Sequence, residues 1–227
     1  MSEPAPQAEF NGKARLFPLP NLVLFPHVMQ PLHIFEPRYR AMTADALASD
    51  RYIAMVLPIP GSDDDPGVPP TLHSVACLGR IVADQKLADG RYNILLRGFE
   101  RIRIVKEISS KKLYRIAKAT VLHEQPIEDE RRARRWRKTL IEKAPGWFPN
   151  QGEVAEQFAK LLQSDLSLGA LCDIIAFALP LDAEFKQVLL EELVVAVRLQ
   201  LLHDFLESAK HVSYACQSHF PPDFSTN

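Results

Sequence analysis

Cys216-x-x-His219, with His211 just upstream, is the nearest approach to a metal-ligand cluster in the chain. It offers a thiolate and imidazoles, but a closed zinc site takes four ligands at recognisable spacing. Three ligands in one polar tail do not make one. The other histidines, His27, His33, His73, His123 and His203, are scattered; His27 and His33 flank Met29 and Pro31 and read as loop histidines. Asp63-Asp64-Asp65 sits in a Gly- and Pro-rich stretch and reads as a solvated loop, not a cation site. The chain contains no GxxxxGK[ST] phosphate loop, no GxGxxG, no HExxH, no GxSxG and no CxxC. The expectation is therefore no catalytic residue, no cofactor and no metal, in a protein that is not an enzyme.

One charged run could do non-covalent chemistry. Arg131, Arg132, Arg134, Arg135, Arg137 and Lys138 surround Trp136, after Glu128, Asp129 and Glu130. On a helix beginning near Ile127, Glu128–Arg132 and Glu130–Arg134 take the favourable i,i+4 order, so a solvated, salt-bridged helix is the plain reading. RNA contact through Arg131, Arg132, Arg134 and Arg135 with stacking on Trp136 is the sharper alternative, and a protein contact is a third.

The elements that must position such groups divide the chain. Leu16 to Arg40, LFPLPNLVLFPHVMQPLHIFEPRYR, is apolar yet broken by Pro18, Pro20, Pro26, Pro31 and Pro37. Proline lacks the N–H and clashes within a helix, so this is extended chain with turns, leading into a helix that opens at Glu36-Pro37 and turns Tyr39, Met42 and Leu47 inward. Tyr52 to Leu57 reads as a buried strand. From Ser74 to Leu122 the pattern is strand-like: a turn at Asp89-Gly90, Tyr92, Ile94 and Leu96 on one face, a bulge or bend at Gly98, then Ile102 and Ile104 inward with Arg101 and Arg103 outward. Several strands with short turns suggest a small barrel or curled sheet. After Gln125-Pro126 the pattern turns helical. Ser167 and Asp182 are placed to cap helices. Residues 183–209 read as one long helix with two apolar stripes, from the middle of which Glu191 and Arg198 project; Arg198 is expected to bond helix-end carbonyls or a carboxylate. The division is a loose lead-in over 1–13, a β subdomain over 14–125, a helical subdomain over 126–210 and a tail over 211–227.

With 227 residues, 47% hydrophobic and 24% charged, one or two globular domains are expected. The net charge of −1 commits the whole molecule to neither nucleic acid nor an anionic membrane. Three widely spaced cysteines do not form a disulfide framework and suit a reducing compartment. No signal sequence or spanning segment is read, so the expected location is cytoplasmic.

Phe17-Pro18-Leu19, Val23-Leu24-Phe25-Pro26 and Pro31-Leu32-His33-Ile34-Phe35-Glu36-Pro37-Arg38-Tyr39, with Gly79-Arg80-Ile81 and the run from Asp89 to Gly98 (DGRYNILLRG), carry a family resemblance. Asp173-Ile174-Ile175-Ala176, Lys186 to Glu191 (KQVLLE) and Arg198-Leu199 extend it into the helical half. Across Ala14 to Lys210 the chain resembles the N-terminal substrate-binding domain of Lon-type ATP-dependent proteases, in its stand-alone bacterial form. The resemblance implies an α+β fold, a PUA-like β-barrel followed by a helical bundle, and recognition of unfolded or damaged polypeptide. Lon proteases carry an ATPase module and a serine–lysine protease module beyond this region. This chain ends where they would begin, so the resemblance implies binding and not hydrolysis: an adaptor or accessory in protein quality control, partnered by a protease or chaperone. An exposed apolar groove would hold the extended chain. Phe25, Met29, Ile34, Phe35 and Tyr39 are its candidate lining, although each also fits ordinary core packing. RNA binding is the alternative, by analogy with other PUA-like barrels.

Overall fold

The computed structural model describes residues 10–61, 69–143, 160–209 and 225–226, which fall into two compact units. One runs to Leu122 and includes Ser225–Thr226; the other begins at His123. The aspartate run at 63–65, the Pro145–Pro149 break and Cys216, His211 and His219 lie outside the described residues.

The first unit contains β1 (Lys13–Pro18), β2 (Met29–Ile34), α1 (Pro37–Leu47), β3 (Tyr52–Val56), β4 (Val75–Lys86), β5 (Tyr92–Ile108), β6 (Ile116–Leu122) and the short β7 (Ser225–Thr226). The sheet order is β4-β3-β1-β6-β5-β2-β7, and β4 also pairs with β5, which closes β1, β3, β4, β5 and β6 into a ring. Only so few strands enclose a narrow interior, and the sequence answers with small side chains: Ala14, Ala54, Ala76, Ala117 and Ala119 fill it beside Leu16, Tyr52, Val56, Leu78 and Ile102.

The proline-broken stretch leaves the ring at the end of β1 and returns to pair with β5 as β2. Proline followed by a residue with positive φ is the pattern of a type II turn, and it occurs twice, at Pro20-Asn21 (Asn21 φ 62°) and Pro26-His27 (His27 φ 67°). The second turn is pinned to β5: His27 N–H donates to the Gly98 carbonyl (2.9 Å) and Gly98 N–H donates to the Val28 carbonyl (2.8 Å). Gly98 lies at a register shift between β4 and β5, where a Cβ would fall 2.0 Å from the Phe25 carbonyl oxygen. Glycine is required there by close backbone approach. α1 opens with proline in its first turn and buries Tyr39, Met42, Thr43 and Ala46, with the Tyr39 ring 4.4 Å from that of Phe17; Leu47 is only half-buried.

Arg101 corrects the expected alternation on β5. It is 4% exposed, not outward: the register shift between Leu78 and Gly79, opposite Glu100 and Gly98, interrupts the regular alternation of β5 just before it, and Arg101 and Ile102 are both buried. Arg103 is exposed.

The second unit contains α2 (Glu130–Lys143), α3 (Leu168–Ala178), α4 (Ala183–Glu191) and α5 (Val195–Ala209). Two caps form as local chemistry dictates: Ser167 accepts from Ala170 N–H (3.1 Å) and Asp182 from Phe185 N–H (2.7 Å). α2 starts later than its charge pattern suggested. Asp129 accepts from Arg131 and Arg132 N–H, so Glu128 precedes the helix and the expected Glu128–Arg132 pair is not intrahelical. The long helix expected over 183–209 is two helices. Glu192 is extended (φ −76°, ψ 113°), and the Gln125 backbone enters the gap, donating to the Leu193 carbonyl (2.8 Å) and accepting from Val195 N–H (3.0 Å). The break resets the apolar phase. Val195, Leu199, Leu202 and Leu206 are buried, whereas Val188 and Val197 are about half exposed.

Candidate functional site

β2 is the strand on which the binding candidates converge. In the antiparallel ladder with β5, Met29 faces Arg97, Pro31 faces Leu95 and His33 faces Asn93. Period-2 alternation sends Gln30, Leu32 and Ile34 inward and Met29, Pro31, His33 and, just beyond the strand, Phe35 to the other face. Met29 is 46% exposed and Phe35 40%. Leu95 and Pro31 are partly exposed and extend the apolar stripe from Met29, and His33 with Asn93 interrupts it before Phe35. His33 is oriented by Asn93 (2.7 Å from Nδ1) and by Arg91 (3.3 Å from Nε2), and its ring stacks toward Phe35 with centroids 6.3 Å apart.

The five apolar candidates therefore separate. Phe25 (0% exposed) and Ile34 (1%) are core, the first because its turn is pinned against Gly98, the second because it has the inward parity of β2. Tyr39 is buried against Phe17, and its hydroxyl reaches the Pro18 carbonyl at 3.5 Å; burial pushes its phenol up, with the Arg38 guanidinium acting in the opposite sense. Its edge lines a separate groove of about 180 Å³ with Pro18, Pro20, Pro58, Pro70 and Tyr114, beside the exposed Leu113. Met29 and Phe35 remain as surface groups. Sequence reasoning passed over Pro31 and Leu95, although a proline inside a strand is itself a signal of an edge.

The basic helix presents a different surface. Arg131, Arg132, Arg134 and Arg135 are exposed on α2, with Arg134 paired to Glu130 at 3.3 Å. Trp136 is half-buried and meets His203 edge-on at 6.0 Å; with Arg132, Arg135 and Gln200 they line a cleft of about 330 Å³. Arg137 is turned inward, donating to the carbonyls of Leu162, Ser164 and Leu166.

Arg198 is fully buried within the second unit. It donates to Glu124 (2.6 Å) and to the Glu192 carbonyl (3.0 Å), and Nε lies 3.3 Å from Asp173. Burial alone would lower its pKa; Asp173, Cys172 and Glu124 outweigh that and hold it above the ordinary value. Glu124 also packs on Gly169 in the first turn of α3, where a helix favours negative charge. Glu191 is exposed and accepts from Gln187 (2.8 Å), so it does not share the interior with Arg198. Among the described residues no group of three His, Cys, Asp or Glu is placed to hold a metal ion, and no helix is long and apolar enough to cross a membrane.

The described architecture is a closed five-strand ring with an apolar, proline-bearing strand paired to it, followed in sequence by a helical unit. Residues 13–208 match the family model described as the ATP-dependent protease La (LON) substrate-binding domain, and the chain belongs to that family. It is 31% identical over 193 residues to Lon protease of Escherichia coli (strain K12), covering 85% of this chain and 24% of that protein. It is 24% identical over 198 residues to Lon protease of Azospirillum brasilense, covering 86% and 24% respectively. The chain thus spans about a quarter of the length of the curated relatives it matches. Two solved structures share the fold: the N-terminal domain of Mycobacterium avium complex Lon protease (TM-score 0.64, 20% identity, 86% of this chain and 98% of that one) and a Lon N-terminal domain protein from Xanthomonas campestris (TM-score 0.59, 23% identity, 85% and 98%).

Proposed function

We propose that this chain is a non-catalytic polypeptide-binding module of the cytoplasm, holding unfolded or damaged segments as an adaptor or accessory in protein quality control. The observation that supports this most is the apolar stripe along β2 and β5, with Met29 and Phe35 exposed and Pro31 and Leu95 partly so, in a family described by substrate binding. Apolar side chains presented along a strand suit an extended client, whose own alternate side chains can meet them. The test is fluorescence anisotropy of a labelled, reduced and unfolded model protein titrated with the full chain. Saturable binding, weakened about tenfold or more by the Met29→Ser/Phe35→Ser double variant, is expected, a change of about 1.4 kcal/mol. Absence of binding by the folded chain refutes the reading.

The exposed arginines of α2 favour a second reading, RNA contact at Arg131, Arg132, Arg134 and Arg135 beside Trp136. Retention on an RNA column that falls steeply with salt supports it, and salt-independent or absent retention removes it.

A further inference from the structure

The backbone of β2 carries more information than its side chains. Gly98 N–H donates to the Val28 carbonyl, and the β2–β5 register runs without a shift from Met29 to Ile34. In an antiparallel ladder alternate residues turn their N–H and C=O to the same side. Residues 28, 30, 32 and 34 therefore address β5, and 29, 31 and 33 turn theirs outward. Pro31 stands at one of the outward positions, where a missing N–H costs the sheet nothing; this is where proline is tolerated in a strand. The outward side of β2 is an edge, and part of it is taken: β7 lies along it in parallel, with Ser225 opposite Leu32 and Thr226 opposite His33. Bonds in a parallel ladder slant to the residues flanking the opposite one, so Ser225 is placed against the outward groups of Pro31 and His33. Among the described residues β7 covers only two of the six positions of β2, leaving the Met29 end open.

We propose that the outer edge of β2 receives the client as an added strand, and that Ser225–Thr226 is an internal occupant of the same edge which a client displaces. The inference rests on the polypeptide-binding reading and specifies how that site works. The occupant is an extended polypeptide segment, because a two-residue strand of this chain already sits there in β register. Displacement favours the client because a longer strand can continue past Leu32 toward Met29, where it also gains the exposed stripe. The tail sets a threshold: a segment too short or too structured to pair along the whole edge does not replace it.

The test uses three full-length variants. Ser225→Pro removes the tail's N–H. His33→Pro removes an outward donor of β2 itself, while His33→Ala keeps that donor and loses only the imidazole. The probe is a reduced, carboxymethylated unfolded protein. Ser225→Pro is expected to bind it about fivefold tighter than the unaltered chain, since an edge that is mostly occupied lowers apparent affinity by its free fraction. His33→Pro is expected to lose most binding, and His33→Ala, which keeps the backbone donor, to lose several-fold less than His33→Pro. Amide exchange at His33 in the unaltered chain gives an independent readout: it is protected, becomes fast in Ser225→Pro, and slows again when the probe is added. Equal binding by the unaltered chain, Ser225→Pro and His33→Pro overturns strand addition while leaving polypeptide binding intact. A fast-exchanging His33 amide in the unaltered chain overturns the occupant role of the tail. Failure of every form to bind the probe overturns the polypeptide-binding reading and this inference with it.

Discussion

Arg198→Met keeps the length of the side chain and deletes its guanidinium. What remains is Asp173, 1% exposed, without the guanidinium that lay 3.3 Å away, and a Glu192 carbonyl that loses its donor at 3.0 Å. Glu124 is a third exposed and can turn to water, so it adds little. Breaking a buried pair from one side costs about 3–5 kcal/mol, because the surviving charge loses its counter-ion in a site closed to water. The carbonyl's lost bond, about 1–3 kcal/mol on its own, falls largely within that range since the same rearrangement relieves both. We expect a loss of about 3–5 kcal/mol in urea unfolding followed by helical circular dichroism. Adding Asp173→Asn to Arg198→Met removes the remaining buried charge and recovers part of the loss, with a coupling energy of about 2 kcal/mol. A loss below about 1 kcal/mol in the single variant, or no coupling, refutes the proposal that Arg198 organises the junction of Glu124, α3 and the α4–α5 break.

Gly98→Ala is expected to destabilise the first unit by about 2–4 kcal/mol, from overpacking against the Phe25 carbonyl and weakening of the two backbone bonds to the 25–28 turn; the midpoint of chemical denaturation measures it. Hydrogen bonds from Lys112, then Tyr114, hold the Asp45 carboxyl below its ordinary value. Its stabilising contribution is therefore present above the unfolded pKa and lost as pH falls through the folded one, so Asp45→Asn should flatten the stability loss below about pH 4. Burial pushes Lys186 down to about 8, so the unfolded chain binds its proton more tightly and stability rises as pH climbs from about 8 to the ordinary lysine value of about 10.5. Lys186→Met should abolish that rise in unfolding measured across the interval.

Local chemistry was legible in the sequence where a residue's role is settled by its chain neighbours. Ser167 and Asp182 cap helices through N–H groups three residues away, and Pro20-Asn21 and Pro26-His27 turn the chain by their own dihedral preferences. The α+β order of strands then helices followed from the change in apolar period. The α4–α5 break was not legible, because the groups that hold it open, the Gln125 backbone and the Arg198 side chain, come from elsewhere in the chain. Arg101 looked outward by alternation, but the register shift at Gly98 and Glu100, set by pairing with β4, breaks the period before it. The binding candidates were chosen for being apolar and near prolines. Parity along β2 divides them, placing Ile34 inside and Met29 and Phe35 outside, but that parity acquires meaning only once β5 covers one edge of the strand.

Amide exchange over the whole chain, with and without a saturating unfolded polypeptide, tests the central claim most directly. Slowed exchange is expected at residues 29–35 and at their β5 partners near Leu95, with α2 unchanged. Protection confined to residues 131–136, or none at β2 while the polypeptide is bound, contradicts it.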